Sequence, residues 1–293
     1  MQNNSNHFSV FKNTDNNKKL HLKMTDLTEY AKIKQLLDNK VNQYNRFDFI
    51  DYDPIQIPHK FSRKEDIEIA GFLTATISWG QRKSIIKNAY FLMELMDNSP
   101  HDFLLEADTS DWERVNRFVH RTFNGDDCVF FLHSLKNICI HHGGLENVFN
   151  IGYITDDSIF SALTYFREIF ISIPHDKHVT KHISDVSSNS AAKRLNMFLR
   201  WMVRKDENGV DFGLWNKIPS SALMLPLDVH TGNVARALGL LKRSQNDWKA
   251  VDEITTVLRT FDAADPIKYD YALFGYGVFE GKNMDNKTIS SGF

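Results

Sequence analysis

The sequence predicts an all-α fold, and three observations support this class. The 293 residues include only 7 prolines and 14 glycines, the residues that most often interrupt regular structure. Long segments place apolar residues at helical spacing, and neither a convincing period-2 strand run nor an internal repeat occurs. With 42% hydrophobic residues, the chain can bury a substantial core in one large domain or two interlocked ones.

The first half of the chain contains six predicted helices. They cover residues 25–39, 62–77, 83–96, 111–119, 127–140 and 158–171. Ser62 and Glu65 have the spacing of a capping box, which predicts the start of the second helix. Pro54 and Pro58 exclude a helix from the loop before it, because proline lacks the N–H group that a helix interior needs.

The second half contains three predicted helices, at residues 191–204, 229–238 and 266–278. Gly239 suits the C-terminal cap of the middle one, and the Asp265-Pro266 pair suits the start of the last. The segment 1–23 is rich in Asn and Lys and is predicted to be a disordered tail. The predicted helical domain covers 24–281, and 282–293 is expected to be a frayed C-terminus.

Composition narrows the class of protein. Because 35 basic and 37 acidic residues nearly cancel, any contact with DNA must come from a local basic patch. Cys128 and Cys139 are the only cysteines, which suits a reducing compartment and excludes a four-cysteine iron–sulfur cluster. The sequence shows no membrane span and no signal peptide, so we expect a cytoplasmic protein that does not bind a membrane.

Lys193 begins the predicted helix 191–204, where Met197, Arg200 and Arg204 share its face. The positive end of the helix dipole disfavours a charged lysine in the first turn. Partial burial would disfavour the charge further and leave the free amine that a nucleophile needs. On this helix alone, a solvated basic face is the simpler interpretation.

Asp228 directly precedes the predicted helix 229–238 and is expected to be its N-terminal cap. Capping alone explains an aspartate at this position. The cap is also compatible with chemistry, because a carboxylate held by helix amides stays ionised and can face a developing cation.

The segment Leu-Pro-Leu-Asp-Val-His at 225–230 resembles the Pro-hydrophobic-Asp-hydrophobic-His segment of 8-oxoguanine DNA glycosylases. More loosely, it resembles the matching segment of endonuclease III. Residues 73–82 resemble the buried helix and polar turn that this helix-hairpin-helix superfamily inserts into DNA, and 265–278 resemble its closing helix. The similarity spans about residues 67–278 and extends to a group of uncharacterised bacterial proteins.

The resemblance implies two interlocked helical subdomains with a cleft, and base excision from damaged double-stranded DNA. A base, such as 8-oxoguanine, is flipped into a pocket. Lys193 attacks the sugar C1′ and forms a Schiff base that permits strand cleavage, while Asp228 stabilises the cationic sugar. We expect a monomer that needs no metal or other cofactor.

The remaining site residues fall into two groups. The DNA-binding candidates are Trp79, Gln81, Arg82, Ser188, Ser190, Arg194, Arg200 and Arg204. The base-pocket candidates are Phe212, Trp215 and His230. For each of the aromatic residues Trp79, Phe212 and Trp215, packing in the core is the competing interpretation.

Two departures from the superfamily leave alternatives open. The segment 187–192 lacks the glycines with which the hairpin normally grips a phosphate. Asp228 follows Lys193 by 35 residues, more than in endonuclease III, and Lys205 or Lys217 is the fallback nucleophile. The alternatives are a non-catalytic DNA-binding protein with this fold and an enzyme that acts on RNA or nucleotides.

Three histidines have helix-like spacing for a metal, at His175, His178 and His182. Pro174 and the neighbouring lysines favour a polar connecting segment instead. The sequence therefore predicts no metal site.

Overall fold

Helices form the regular secondary structure of the part of the chain that the computed structural model describes, residues 24–280. In that range the helices are α1 Met24–Tyr44, α2 Lys64–Thr76, α3 Arg82–Leu95, α4 Pro100–Glu106, α5 Thr109–Val115, α6 Gly125–His141, α7 Leu145–Tyr153, α8 Ile159–Phe170, α9 Lys193–Val203, α10 Val229–Ala237, α11 Trp248–Phe261 and α12 Tyr269–Gly275. Short 3-10 turns connect some of them, and the only extended pairings among these residues are isolated bridges. The all-α prediction is confirmed.

Helix α2 lies at the centre of the core. Every residue from Ile67 to Thr76 is buried, as the unbroken apolar run predicts. Phe72 alone contacts four other phenylalanine rings, from helices α6, α8 and α9. Helix α9 packs closely along α2, and a Cβ atom added at Gly71 would lie 3.0 Å from Met202 Cε.

The helices that carry the candidate site meet around α12. Helices α1 and α10 both pack against α12, and α9 reaches it through ion pairs from Arg200. The 3-10 turn Phe47–Tyr52, which follows α1, also contacts α12 through the edge-to-face pair of Phe49 and Tyr271. The starts of α9 and α10 are thereby held beside one face of α12.

A close helix pair lies on the far side of α2. Helices α7 and α8 approach so closely at Gly152 that a Cβ atom there would lie 2.8 Å from Ala162 Cα. Glycine is therefore required at this crossing, since any side chain would push the two backbones apart.

The capping box predicted at Ser62 is wrong. Helix α2 begins at Lys64, and its N-cap Arg63 makes no side-chain capping bond. Arg63 instead pairs with Glu65 and Asp102, so Glu65 is occupied by a cation. Real capping boxes begin α5 and α6, where Asp108 pairs with Asp111 and Asn124 pairs with Asp127.

Residues 1–23 and 281–293 lie outside the described residues, so the predicted tail and frayed end are not addressed. The division of the helical domain into two subdomains with a cleft stays a prediction. Among the helices between residues 24 and 280, none combines the length and apolar character needed to cross a membrane.

Candidate functional site

Lys193 is the first residue of α9, in the helical turn that the sequence predicted. Its N-cap, Ala192, has a left-handed backbone (φ 46°) and provides no side-chain cap. The lysine side chain is half-buried, and its Nζ lies 3.7 Å from the sulfur of Met197, one turn further along α9. The amine is therefore held along the helix rather than extended into solvent.

Asp228 is the N-cap of α10, as predicted. Its Oδ1 accepts a hydrogen bond of 2.9 Å from the Thr231 amide, and its backbone oxygen accepts one from Asn246 Nδ2. The carboxylate is half-buried, so it remains accessible from the side that does not face the helix. Capping and a catalytic role are both compatible with this geometry.

A buried carboxyl, Asp270 on α12, connects these two residues. Asp270 is 5% exposed, and its Oδ2 accepts a hydrogen bond from Arg200. Burial raises the pKa of Asp270 to about 6, and the negative charge of Asp228 raises it further, whereas the positive charges of Arg200 and Lys193 oppose the rise. Lys193 and Asp228 therefore both act electrostatically on one buried acid.

A second buried carboxyl, Asp53, faces the same cations. It caps the 3-10 turn Pro54–Gln56 through the Ile55 amide at 3.1 Å. Burial raises the pKa of Asp53, and the Ile55 amide and the charges of Arg200, Arg82 and Lys193 oppose this rise.

We call these six residues the charge cluster. Its members are Asp53, Arg82, Lys193, Arg200, Asp228 and Asp270. The sequence identified Lys193 and Asp228 as catalytic, and Arg82 and Arg200 as DNA contacts, but it missed the two buried carboxyls. A signal for Asp270 was present, because an acidic residue interrupts the apolar run of residues 269–273.

The predicted basic surface on α9 is wrong for Arg200 and Arg204. They are 5% and 2% exposed, because aspartates from distant parts of the chain neutralise them within the protein. Arg200 pairs with Asp211 and Asp270, and Arg204 pairs with Asp211 at 2.9 Å and with other aspartates. Neither guanidinium can reach a DNA phosphate in this arrangement.

Arg194 also differs from the predicted surface contact. Its guanidinium donates to the backbone oxygens of Thr76 and His182, and it lies 4.9 Å from the ring centre of Trp79. Burial lowers the pKa of Arg194 to about 10. Arg194 therefore braces the end of α2 and the Trp79 ring, and Trp79 itself is half-buried against His120 and His182.

Gln81 lies on an exposed turn beside a second exposed turn. Gly80 adopts a left-handed conformation (φ 100°), and a Cβ atom there would lie 2.8 Å from a guanidinium nitrogen of Arg121. Arg121 is exposed and has φ 56° in the tight turn that the His120–Phe123 bridge closes. The sequence did not identify Arg121 as a site residue. In contrast, Arg82 lies over the Phe274 ring at 5.3 Å, within the charge cluster.

The glycine-free hairpin before α9 is held together by its own side chains. Both hydroxyls of Ser187 and Ser188 donate to the Asp185 carboxylate, which also accepts their amides. Ser190 Oγ accepts from the Ala192 amide. The phosphate contacts of Ser188 and Ser190 stay predictions, and any such contact must compete with Asp185.

Trp215 belongs to the core rather than to a base pocket. It is 2% exposed, packs against Phe149 and Phe198, and donates its indole N–H to Glu68 at 2.6 Å. Phe212 is half-buried, with its ring stacked on His59 at 4.2 Å. His230 is exposed on the first turn of α10, two residues after Asp228. Contact with a base stays a prediction for Phe212 and His230.

The three spaced histidines do not converge on one point. His182 Nε2 lies 3.1 Å and His178 Nε2 lies 3.6 Å from oxygens of buried Asp127, while His175 bonds the Ile173 carbonyl. Between residues 24 and 280, no group of three or more His, Cys, Asp or Glu residues has a metal-binding arrangement.

A family model described as "Protein of unknown function (DUF2400)" matches residues 53–279. No curated protein and no solved structure matches the chain. The matched range contains all six residues of the charge cluster.

Proposed function

Since the chain belongs to the DUF2400 family of proteins of unknown function, we propose from the charge cluster itself that it is a DNA base-excision glycosylase with lyase activity. The observation that carries the proposal is the joint action of Lys193 and Asp228 on buried Asp270. A nucleophilic amine and an ionised carboxylate, each at the start of a different helix, are the groups that excision through a Schiff base needs. The resemblance of residues 225–230 to 8-oxoguanine glycosylases favours an oxidised purine as substrate.

The proposed reaction begins with the neutral amine of Lys193. Its electron pair forms a bond to the sugar C1′, while the N-glycosidic bond breaks and its electrons leave with the base, which takes up a proton. The amine then forms a Schiff base with the opened sugar, from which the strand is cleaved. The carboxylate of Asp228 stabilises the positive charge that grows on the sugar as the base departs.

The proposed DNA surface differs from the one that the basic helix face suggested. The exposed turns that carry Gln81 and Arg121 lie side by side, and Arg121 offers a cation to a phosphate. Such a pair of turns is suited to fill the gap that an extruded nucleotide leaves in a duplex. The protein would bind damaged duplex DNA as a monomer, and its two unpaired cysteine thiols suit the cytoplasm.

One observation favours the non-catalytic alternative. The hairpin amides and hydroxyls that the superfamily presents to a phosphate are bound here to Asp185, whose charge repels a phosphate. On this alternative, the protein would bind DNA through the turns of Gln81 and Arg121 without excising a base.

Borohydride trapping separates the two functions. The purified chain is incubated with a panel of lesion-bearing duplexes, undamaged duplex and matched RNA, with borohydride present to reduce a Schiff base. We expect a covalent complex with one lesion class, which Lys193→Gln abolishes and which the exposed control Lys181→Gln retains. Binding without trapping on every lesion would favour the non-catalytic alternative, and trapping or turnover of RNA alone would favour an RNA-directed enzyme.

A further inference from the structure

The proposed attack by Lys193 requires a group that removes a proton. A lysine ammonium carries no electron pair, and an unperturbed lysine amine is protonated at neutral pH. The inference below rests on the proposed function and asks which group in the described structure takes that proton.

Helix α9 places the amine and Asp270 along one line. Lys193 and Arg200 are seven residues apart and share a face, which separates them by roughly 10 Å along the helix axis. The amine lies at Met197, between them, so it is directed towards the Arg200 end of the face. Arg200 in turn holds Oδ2 of Asp270. Oδ1 of Asp270 has no hydrogen bond to another residue between 24 and 280.

The charged groups around Asp270 come from two sides. Helix α9 presents Lys193 and Arg200, and the start of α10 presents Asp228. Asp53, from the turn before α2, faces the same Arg200 and Lys193. The acid therefore has one ion-pair partner, one second cation and one nearby carboxylate.

The charged groups of α1 are engaged elsewhere on α12. Asp38 accepts from the Tyr269 hydroxyl at 2.9 Å and lies 3.9 Å from Lys268 Nζ. Lys40 pairs with Glu280 at 2.7 Å, beyond the end of α12. These groups leave the Asp270 side of α12 to α9 and α10.

We propose that Asp270 is the proton acceptor that activates Lys193. An N–H bond of the Lys193 ammonium breaks, the proton passes to Asp270 Oδ1, directly or through one water, and the electron pair stays on Nζ. That pair then forms the bond to C1′. The protonated Asp270 is a source of the proton that the departing base needs, so the proton is conserved over the step.

Asp270 suits this task better than Asp228 does. Asp228 already accepts a hydrogen bond from the Thr231 amide, and its proposed role requires it to stay ionised beside the cationic sugar. With a pKa of about 6, Asp270 accepts a proton more readily than an ordinary aspartate at neutral pH. The two carboxylates thus divide the work, since the charge of Asp228 increases the proton affinity of Asp270.

The test is the pH dependence of single-turnover borohydride trapping, from pH 5 to pH 9, on the lesion duplex that wild type traps. The wild-type rate should fall as the pH drops below about 6 and Asp270 becomes protonated. Asp270→Asn should trap about 100-fold more slowly and should lose that acid limb. Asp211→Asn is the matched control, because it also removes a carboxylate partner of Arg200, and it should keep the limb.

Asp228→Asn keeps the helix cap and covers the case in which Asp270→Asn fails to fold. Removing the Asp228 charge should move the acid limb of its residual trapping to lower pH. A wild-type pH profile in Asp270→Asn, or an unmoved limb in Asp228→Asn, would overturn the role of Asp270 and leave the proposed function standing. A wild-type protein that traps on no lesion would instead refute the proposed function.

Discussion

Replacing Arg200 by Ala tests whether this residue holds the site together or contacts DNA. The guanidinium lies among buried groups, with Asp211 Oδ1 at 3.2 Å from its Nε, Asp270 at its Nη1 and the Tyr271 ring centre at 4.4 Å. Alanine removes this cation and leaves two carboxylates, 3% and 5% exposed, with fewer partners.

The structure sets the size of the expected effect. Removing one member of a buried ion pair typically costs about 3–5 kcal/mol, because the remaining charge is not solvated. For a domain of this size, about 1 kcal/mol corresponds to roughly 2–4 °C in melting temperature. We therefore expect the Arg200→Ala protein to melt about 10 °C below the wild type.

The assay is chemical and thermal unfolding at two salt concentrations. Arg117→Ala is the matched control, because Arg117 is exposed and its loss should change stability by less than about 0.5 kcal/mol. The cost of Arg200→Ala should persist in high salt, since buried pairs are weakly screened. A loss below about 1 kcal/mol would refute the buried network and restore Arg200 as a surface contact.

Four further variants test other parts of the account. Asp228→Asn should leave thermal stability nearly unchanged but slow excision by orders of magnitude, whereas Asp228→Ala should also lose about 1 kcal/mol of stability; full activity of the asparagine variant would reduce Asp228 to a cap. Burial raises the pKa of Glu68 to about 7, so the folded state retains a proton that the unfolded state loses above its ordinary pKa of 4.5. Wild-type stability should consequently fall by roughly 3 kcal/mol between pH 4.5 and pH 7 relative to Glu68→Gln, and parallel stability curves would contradict this. Gly152→Ala should cost about 1–3 kcal/mol by pushing against Ala162 in α8, and a neutral result in urea unfolding would argue against the close crossing. Gln81→Ala should weaken action on duplex DNA much more than on single strands, and equal losses would indicate a structural role.

The helix pattern was readable from sequence where helices are long and amphipathic. The prediction for α8, capped by Ser158 Oγ, ends within a residue of the structure at both ends. The seven-residue α4 and nine-residue α7 were missed, because one or two turns are too short to show a period. Helices α5 and α6 begin two residues before their predicted starts, since Asp111 and Asp127 are the third residues of capping boxes.

The candidate site was readable in part. The positions of Lys193 and Asp228 at helix starts follow from local sequence, because dipole and cap preferences act within one turn. The burial of Arg200 does not, since its partners lie 11 and 70 residues away along the chain. A helix with one apolar and one basic face looks amphipathic, but the acids that neutralise the basic face are supplied by the tertiary structure.

The roles of the aromatic residues show the same limit. The sequence left open whether Trp215 stacks on a base or packs in the core, and the structure places it in the core with its N–H bonded to Glu68. Trp79 is intermediate, with its ring covered by Arg194. Local pattern cannot separate these outcomes, because both require an aromatic residue with apolar neighbours.

The most direct test of the proposed mechanism is to locate the covalent bond after borohydride trapping. The trapped complex is digested with a protease and a nuclease, and the modified peptide is sequenced by mass spectrometry. The account predicts a reduced sugar adduct on Lys193, at the start of α9. An adduct on Lys205 or Lys217, or a wild-type protein that binds a lesion duplex but carries no adduct, would contradict it.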